Sequence, residues 1–191
     1  MARVEPRRLR LASGEVVVVR SATPDDAPAV VAYLRRMAAG TRNIVSYPDE
    51  FKDEDEQRRS IAEQLEREDR LTLVAEPTAD PGRIVGELTF RTGNRRRVAH
   101  WGEFGISVDE AHRGQGLGRV LIEILVEWAR TRPSLEKINL SVLHRNSGAR
   151  RLYKSLGFVE EGVRRRHIKH EDGSYDDDVQ MTLWLRPNGP A

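Results

Sequence analysis

The sequence predicts an α+β protein, a three-layer α/β/α arrangement in which about seven strands carry four helices on both faces. Three observations lead there. Runs rich in β-branched residues alternate with amphipathic runs in the order β-α-α-β-β-β-α-β-α-β-β. The three central strands are separated only by short turn signals, which calls for an antiparallel meander. A turn holding three glycines then leads directly into an apolar helical run.

Each element has a local reason. EVVVVR at 15–20 is β-branched and reads as the first strand. In the next run Thr23 is placed to cap a helix, Pro24 takes its first position, and Gly40 stops it. The charged run at 53–69 is a second helix, with Ile61 and Leu65 four apart. Strands follow at 70–76, 83–91 and 97–109, joined by the turns PTADPG and TGNR. After the glycines, Val120, Leu121, Ile124, Leu125 and Trp128 recur at helical spacing, up to Pro133. A strand at 137–143, a helix at 146–158 stopped by Gly157, and two strands around EDGS complete the chain.

Composition narrows the function classes. The 191 residues, 38% hydrophobic, are enough for one core, expected as a single domain over 15–186 between tails 1–14 and 187–191. There is no cysteine, which excludes a disulfide framework, a thiolate metal site and a cysteine nucleophile. Lys plus Arg (32) nearly balances Asp plus Glu (30), so long-range attraction to nucleic acid is not implied. No signal-peptide core and no bilayer-length apolar run is present, so a cytoplasmic protein with no membrane partner is expected. The basic clusters at 94–98 and 163–170 read either as solvated faces or as contacts to an anionic ligand.

The stretch HRGQGLGRVLIEIL (112–125) sets Gly114, Gly116 and Gly118 ahead of a helix. Glycine lets the backbone approach an anion closely, while converging N–H groups and the helix dipole supply positive potential, so the loop suits a phosphate. Arg119 and Val120 follow the last glycine where a nucleotide-triphosphate loop needs Lys and Ser/Thr, and the glycine spacing misses the dinucleotide fingerprint.

Arg113, Gly116 and Gly118 form Arg-x-x-Gly-x-Gly, which resembles the acetyl-CoA pyrophosphate loop of the GNAT superfamily of N-acetyltransferases. NSGARRLYKSLGF resembles a later motif of the same family, carried by Asn146, Ala149, Tyr153, Gly157 and Phe158. Each motif also has a plain packing reading: a close helix contact, a helix stop, a core tyrosine. Together, one helix and one strand apart, they are specific, and the element order matches the family from residue 15 to residue 185.

The resemblance implies a mixed, mostly antiparallel sheet and acetyl transfer from acetyl-CoA to a primary amine by direct attack through a tetrahedral intermediate, with no metal. It implies that the backbone of Arg113, Gly114, Gln115, Gly116, Leu117, Gly118 and Arg119 cradles the pyrophosphate, with charge from Arg113 or Arg119. It also implies that GISVD splays from INLSVL, so that the backbone of Ile106 and Val108 meets the pantetheine arm and an N–H near Gly105 to Ser107 polarises the thioester. Tyr153 takes the family's place for the acid that protonates the leaving thiolate. Asn146 reads as a helix cap or as a contact to the cofactor arm. Glu103 is the candidate base and reads equally as an exposed strand carboxylate; strand register decides. His100, His167 and His170 are further candidates, without metal-ligand spacing.

For the acceptor, the resemblance points to residues 41–51 and the acidic turn at 169–178, which reads either as an attractor for a cationic amine or as plain solvation. Bacterial enzymes acting on amino acids, polyamines or amine drugs look most similar. The alternatives are a protein N-terminal, ribosomal-protein-like acetyltransferase and a non-catalytic acyl-CoA sensor, the latter disfavoured by Tyr153. A nucleic-acid partner through 95–97 and 164–166 is disfavoured by 6% aromatic content and near-neutral charge. Exposed strand edges and MTLWL at 181–185 make a homodimer possible.

Overall fold

The computed structural model describes residues 3–186, so the expected tail at 187–191 lies outside the described residues. Eight strands and four α-helices follow one another as expected, with one strand added at the start. The chain divides into two compact units, 1–91 with 105–128, and 92–104 with 129–191. No helix among the described residues is long and apolar enough to cross a membrane.

The first unit holds β1 (Arg7–Arg10), β2 (Val16–Ser21), β3 (Arg70–Pro77) and β4 (Gly86–Thr92), paired antiparallel in that order. The register runs Arg7↔Val19, Val19↔Ala75 and Ala75↔Gly86. The expectation of a tail at 1–14 is corrected here. Arg7–Arg10 pairs with β2, and Leu11 is 2% exposed. RRLR carries one apolar residue, so this edge strand has no hydrophobic alternation by which to be recognised.

Helices α1 (Ala27–Gly40) and α2 (Glu54–Glu66) place Val30, Tyr33, Met37 and Ile61 in one cluster with Val74 and Ile84. The start of α1 differs slightly from the simple cap expected at Thr23, because Pro24–Asp26 forms a 3-10 turn first. Its carboxylate at Asp26 accepts from Thr23 N at 2.7 Å and pairs with Arg20 at 2.7 Å. Helix α3 (Leu117–Arg130) covers the other side: a Cβ at Gly86 would sit 3.3 Å from Leu117, and Phe90 meets Trp128 edge-on at 5.5 Å. Buried large side chains of this kind contribute about 1.5–3 kcal/mol each.

In the second unit, β5 (Trp101–Val108) begins beside β6 (Lys137–Leu143), and a parallel register runs from Trp101↔Lys137 to Glu103↔Asn139. Strand β8 (Tyr175–Trp184) pairs antiparallel with β6, and β7 (Val159–Lys169) pairs with β8. Helix α4 (Ser147–Ser155) lies between β6 and β7 in the chain. The sheet is therefore mixed and mostly antiparallel, with eight strands rather than seven.

The turn TGNR and a strand from residue 97 are also corrected. Residues 96–98 form a 3-10 turn, and β5 starts at Trp101, with Gly93 N donating to Trp101 O at 3.3 Å. A Cβ at Gly93 would fall 2.6 Å from Val98 O, so only glycine fits this close approach.

The two charge runs at the chain's end pair in part with each other. Across the β7–β8 hairpin, Arg164 pairs with Asp178 and Arg165 with Asp177, while Asp176 accepts from His170 at 2.6 Å and lies 3.2 Å from Arg145. A register shift between Arg164 and Ile168 puts Arg166 at φ +49°, its N–H on Asp177 and its guanidinium 4.3 Å from the Tyr175 ring centre.

Candidate active site

In the first unit, β5 ends at Val108, the chain turns through Glu110–His112, and α3 begins at Leu117. Gly114 and Gly116 hold φ of +72° and +95°, conformations that side chains rarely adopt, and a Cβ at either would meet open space. Among the described residues, none of the backbone N–H groups from Gly114 to Gly118 has an acceptor. Five donors at one helix start, with no side chain over the glycines, fit a bound diphosphate.

The side chains of this loop do different work. Arg113 Nε donates to Val108 O at 3.0 Å, which folds it back onto the end of β5. Gln115 donates to Ala111 O at 2.6 Å and accepts from Ser13 N at 3.2 Å. Arg119 lies 3.6 Å from Glu123, one helical turn on. Buried His112 meets Glu15 at 2.9 Å. Ser13 and Glu15 thus brace the loop from the segment before β2, a role that sequence reasoning missed because the contact spans about half the chain.

The C-terminal half of β5 places Ile106 and Val108 beyond the register with β6, which ends at Glu103. Ser107 Oγ lies 3.0 Å from the hydroxyl of Tyr33 on α1. Glu87 on β4 is 6% exposed, and burial pushes its carboxyl up to about 7. It had no place among the sequence candidates; its signal is a lone acid inside the apolar stretch VGELTF.

In the second unit, Tyr153 on α4 is 6% exposed, wedged edge-on to Phe104 at 6.0 Å and tilted against Phe158 at 5.9 Å. Burial pushes its phenol up to about 12, so the hydroxyl keeps its proton throughout the physiological range. Asn146 caps the helix, its Oδ1 accepting from Ala149 N at 3.2 Å. The helix closes with Gly157 at φ +91° and Phe158 N donating to Tyr153 O at 3.0 Å. Glu103 is half-buried on β5, next to Phe104. Of the histidines, His170 is tied to Asp176, and no group of three metal-ligating side chains occurs among the described residues.

Residues 36–158 match the model of the acetyltransferase (GNAT) family. The chain is 31% identical over 100 residues to an L-amino acid N-acetyltransferase of Escherichia coli, covering 52% of this chain and 61% of that protein. It is 40% identical over 80 residues to the E. coli ribosomal protein bS18-alanine N-acetyltransferase, covering 42% of this chain and 53% of that one. The matched stretches thus span less than two thirds of those two relatives. Among solved structures, a GNAT-family acetyltransferase from Streptococcus pneumoniae superposes with a TM-score of 0.83 at 30% identity, over 88% of this chain and 99% of that one.

Proposed function

Because the chain belongs to the GNAT acetyltransferase family, we propose that it acetylates a primary amine of a small molecule, amino acids being the first class to test. Family membership makes it an acetyl-CoA-dependent acyltransferase. The observation that carries the reading is the run of acceptor-free N–H groups from Gly114 to Gly118. The similarity to an L-amino acid N-acetyltransferase supports the acceptor class.

In this reading the N–H groups of Gly114, Gln115, Gly116, Leu117 and Gly118 hold the pyrophosphate, and Arg119 adds charge. The peptide groups of Ile106 and Val108 receive the pantetheine arm. The thioester supplies the activated acetyl group. A carboxylate takes a proton from the amine, directly or through water, Glu103 being the candidate that the sequence offers, and Tyr153 donates one to the departing sulfur. A phenol held near 12 by burial is protonated when the thiolate leaves. Asn146 holds the start of α4, the helix that carries Tyr153. A cytoplasmic location belongs to the same reading, and a homodimer is its assembly to measure by light scattering.

The test is a thermal scan with acetyl-CoA followed by turnover of Tyr153→Phe. Acetyl-CoA at about 100 times its dissociation constant stabilises the protein by about 2.7 kcal/mol. The Phe variant keeps that stabilisation and loses roughly 10²–10⁴ in turnover, the range of a general acid. Wild-type turnover in the variant removes Tyr153 from the role. A second reading, acetylation of a protein N-terminus, draws on the similarity to the ribosomal-protein enzyme, and a peptide with a free N-terminal alanine run beside free amino acids separates the two.

A further inference from the structure

Glu87 is a buried acid that neither the fold nor the chemistry above uses. Asp109 N donates to Val85 O at 2.9 Å, and a Cβ at Gly105 would lie 3.8 Å from Thr89 Oγ1. Both contacts fit one antiparallel register of β4 against β5, which sets Glu87 directly across from Ser107. Side chains so opposed start about 4.5–5.5 Å apart at Cβ. Ser107 in turn holds the Tyr33 hydroxyl at 3.0 Å. Oxygens from α1, β4 and β5 thus gather on one face.

The carboxyl of Glu87 accepts no hydrogen bond among the described residues, although the residue is only 6% exposed. On β3 it faces Val74, and α2 adds Ile61 and Leu65 to the same cluster. The charged groups around the cluster are already matched: Arg36, 5.6 Å from the Tyr33 ring centre, reaches Asp109 at 3.4 Å, and Arg83 reaches it at 3.8 Å. Exposed Gly105, two strand positions from Ser107, puts no side chain over that end of the face. A buried acid with no partner destabilises a fold, and a leucine would pack there at no such cost. What the arrangement lacks is a cation with several N–H donors.

We propose that Glu87, Ser107 and Tyr33 form the subsite for the primary ammonium group of the acceptor, with Glu87 as the group that receives its proton. The inference rests on the N-acetyltransfer reading and makes Glu87, rather than Glu103, the acid that discharges the amine. An ammonium has three donors, which match one carboxylate and two hydroxyl oxygens. One N–H proton passes to a Glu87 oxygen, and the freed nitrogen lone pair forms the C–N bond at the thioester carbonyl. The C–S pair leaves on sulfur, which takes up the nitrogen's second proton through water, and Glu87 releases its own to solvent. The subsite selects cationic primary amines over neutral or anionic nucleophiles.

The full-length protein with saturating acetyl-CoA is assayed on ethylamine and L-alaninamide by release of the CoA thiol, which a thiol reagent reads without background because the chain has no cysteine. Glu87→Gln lowers kcat/KM for the amine at least about 100-fold, and Glu87→Asp restores part of it. The rise of kcat/KM through about pH 7 disappears in the Gln variant, while stabilisation by acetyl-CoA is unchanged. A Gln variant within threefold of wild type that keeps the rise overturns the proposal. A second readout needs no turnover: in protein labelled with 13C at the glutamate carboxyl, the resonance absent from Glu87→Gln is followed as ethylammonium is added. Movement of that signal with a falling apparent pKa supports the subsite, and a signal unmoved up to the solubility of the salt overturns it. Wild type that binds acetyl-CoA but acetylates neither amine refutes the N-acetyltransfer reading, and the titration then decides the subsite alone.

Discussion

A carboxyl that titrates near 7 in the folded protein and at 4.5 as a free side chain ties folding to pH in a definite direction. Folding binds a proton at Glu87 wherever the unfolded chain has lost it and the native state has not, so stability falls as pH rises through that window. The difference of 2.5 units amounts to about 3 kcal/mol, fully present as a penalty above pH 7 and absent below pH 4.5. Glu87→Gln therefore gains on wild type across that interval, by several degrees in melting temperature, and the two curves run parallel outside it. Curves parallel from pH 4 to 8 would show that the native carboxyl titrates normally. At this scale the sequence was legible where roles follow local spacing. Asn146 and Tyr153 sit at a helix cap and two turns on, which a motif encodes. Glu87, Ser107 and Tyr33 meet only through strand register and the packing of α1, and no pattern within any one segment announces that.

Between β5 and α3 the chain relies on conformation more than on side chains. Gly116 at φ +95° is the position where a branched residue is hardest to accommodate, although space is available for its Cβ. Gly116→Val strains the backbone by roughly 1–3 kcal/mol, and the loop relieves this by moving its N–H groups. The expected result is loss of most acetyl-CoA-induced stabilisation, against a small drop in the melting temperature of the free protein. Normal stabilisation by acetyl-CoA would mean that these N–H groups do not hold it. Helices α1, α2, α3 and α4 were legible because each carries a cap, a stop or apolar residues at helical spacing. Two elements were not. Strand β1 has only Leu9 to mark it and is held by backbone pairing, with Arg7 reaching Glu127 on α3. The link from β4 to β5 looks like a tight hairpin in sequence, yet the 3-10 turn at Arg96–Val98 lengthens it.

At the scale of the whole molecule, the chain leaves the first unit after Arg91, returns at Gly105 and leaves again after Trp128. Neither unit is a contiguous segment, which no composition shift in the sequence reveals. The consequence is testable with fragments. Residues 1–104 contain β1 through β4 but lack α3, so the face carrying Gly86 and Phe90 has no cover; residues 1–128 supply it. By circular dichroism and thermal melting, the longer fragment shows a cooperative transition and the shorter one does not. A cooperative melt of 1–104 would mean that α3 is dispensable to this core. The same arrangement sets a clock during synthesis. At roughly 5–20 residues per second, the 37 residues between Arg91 and Trp128 take about 2–7 s to translate. For that interval a finished antiparallel ribbon waits at the ribosome with its greasy side bare, an invitation to a chaperone that lapses once the glycine turn and its helix emerge.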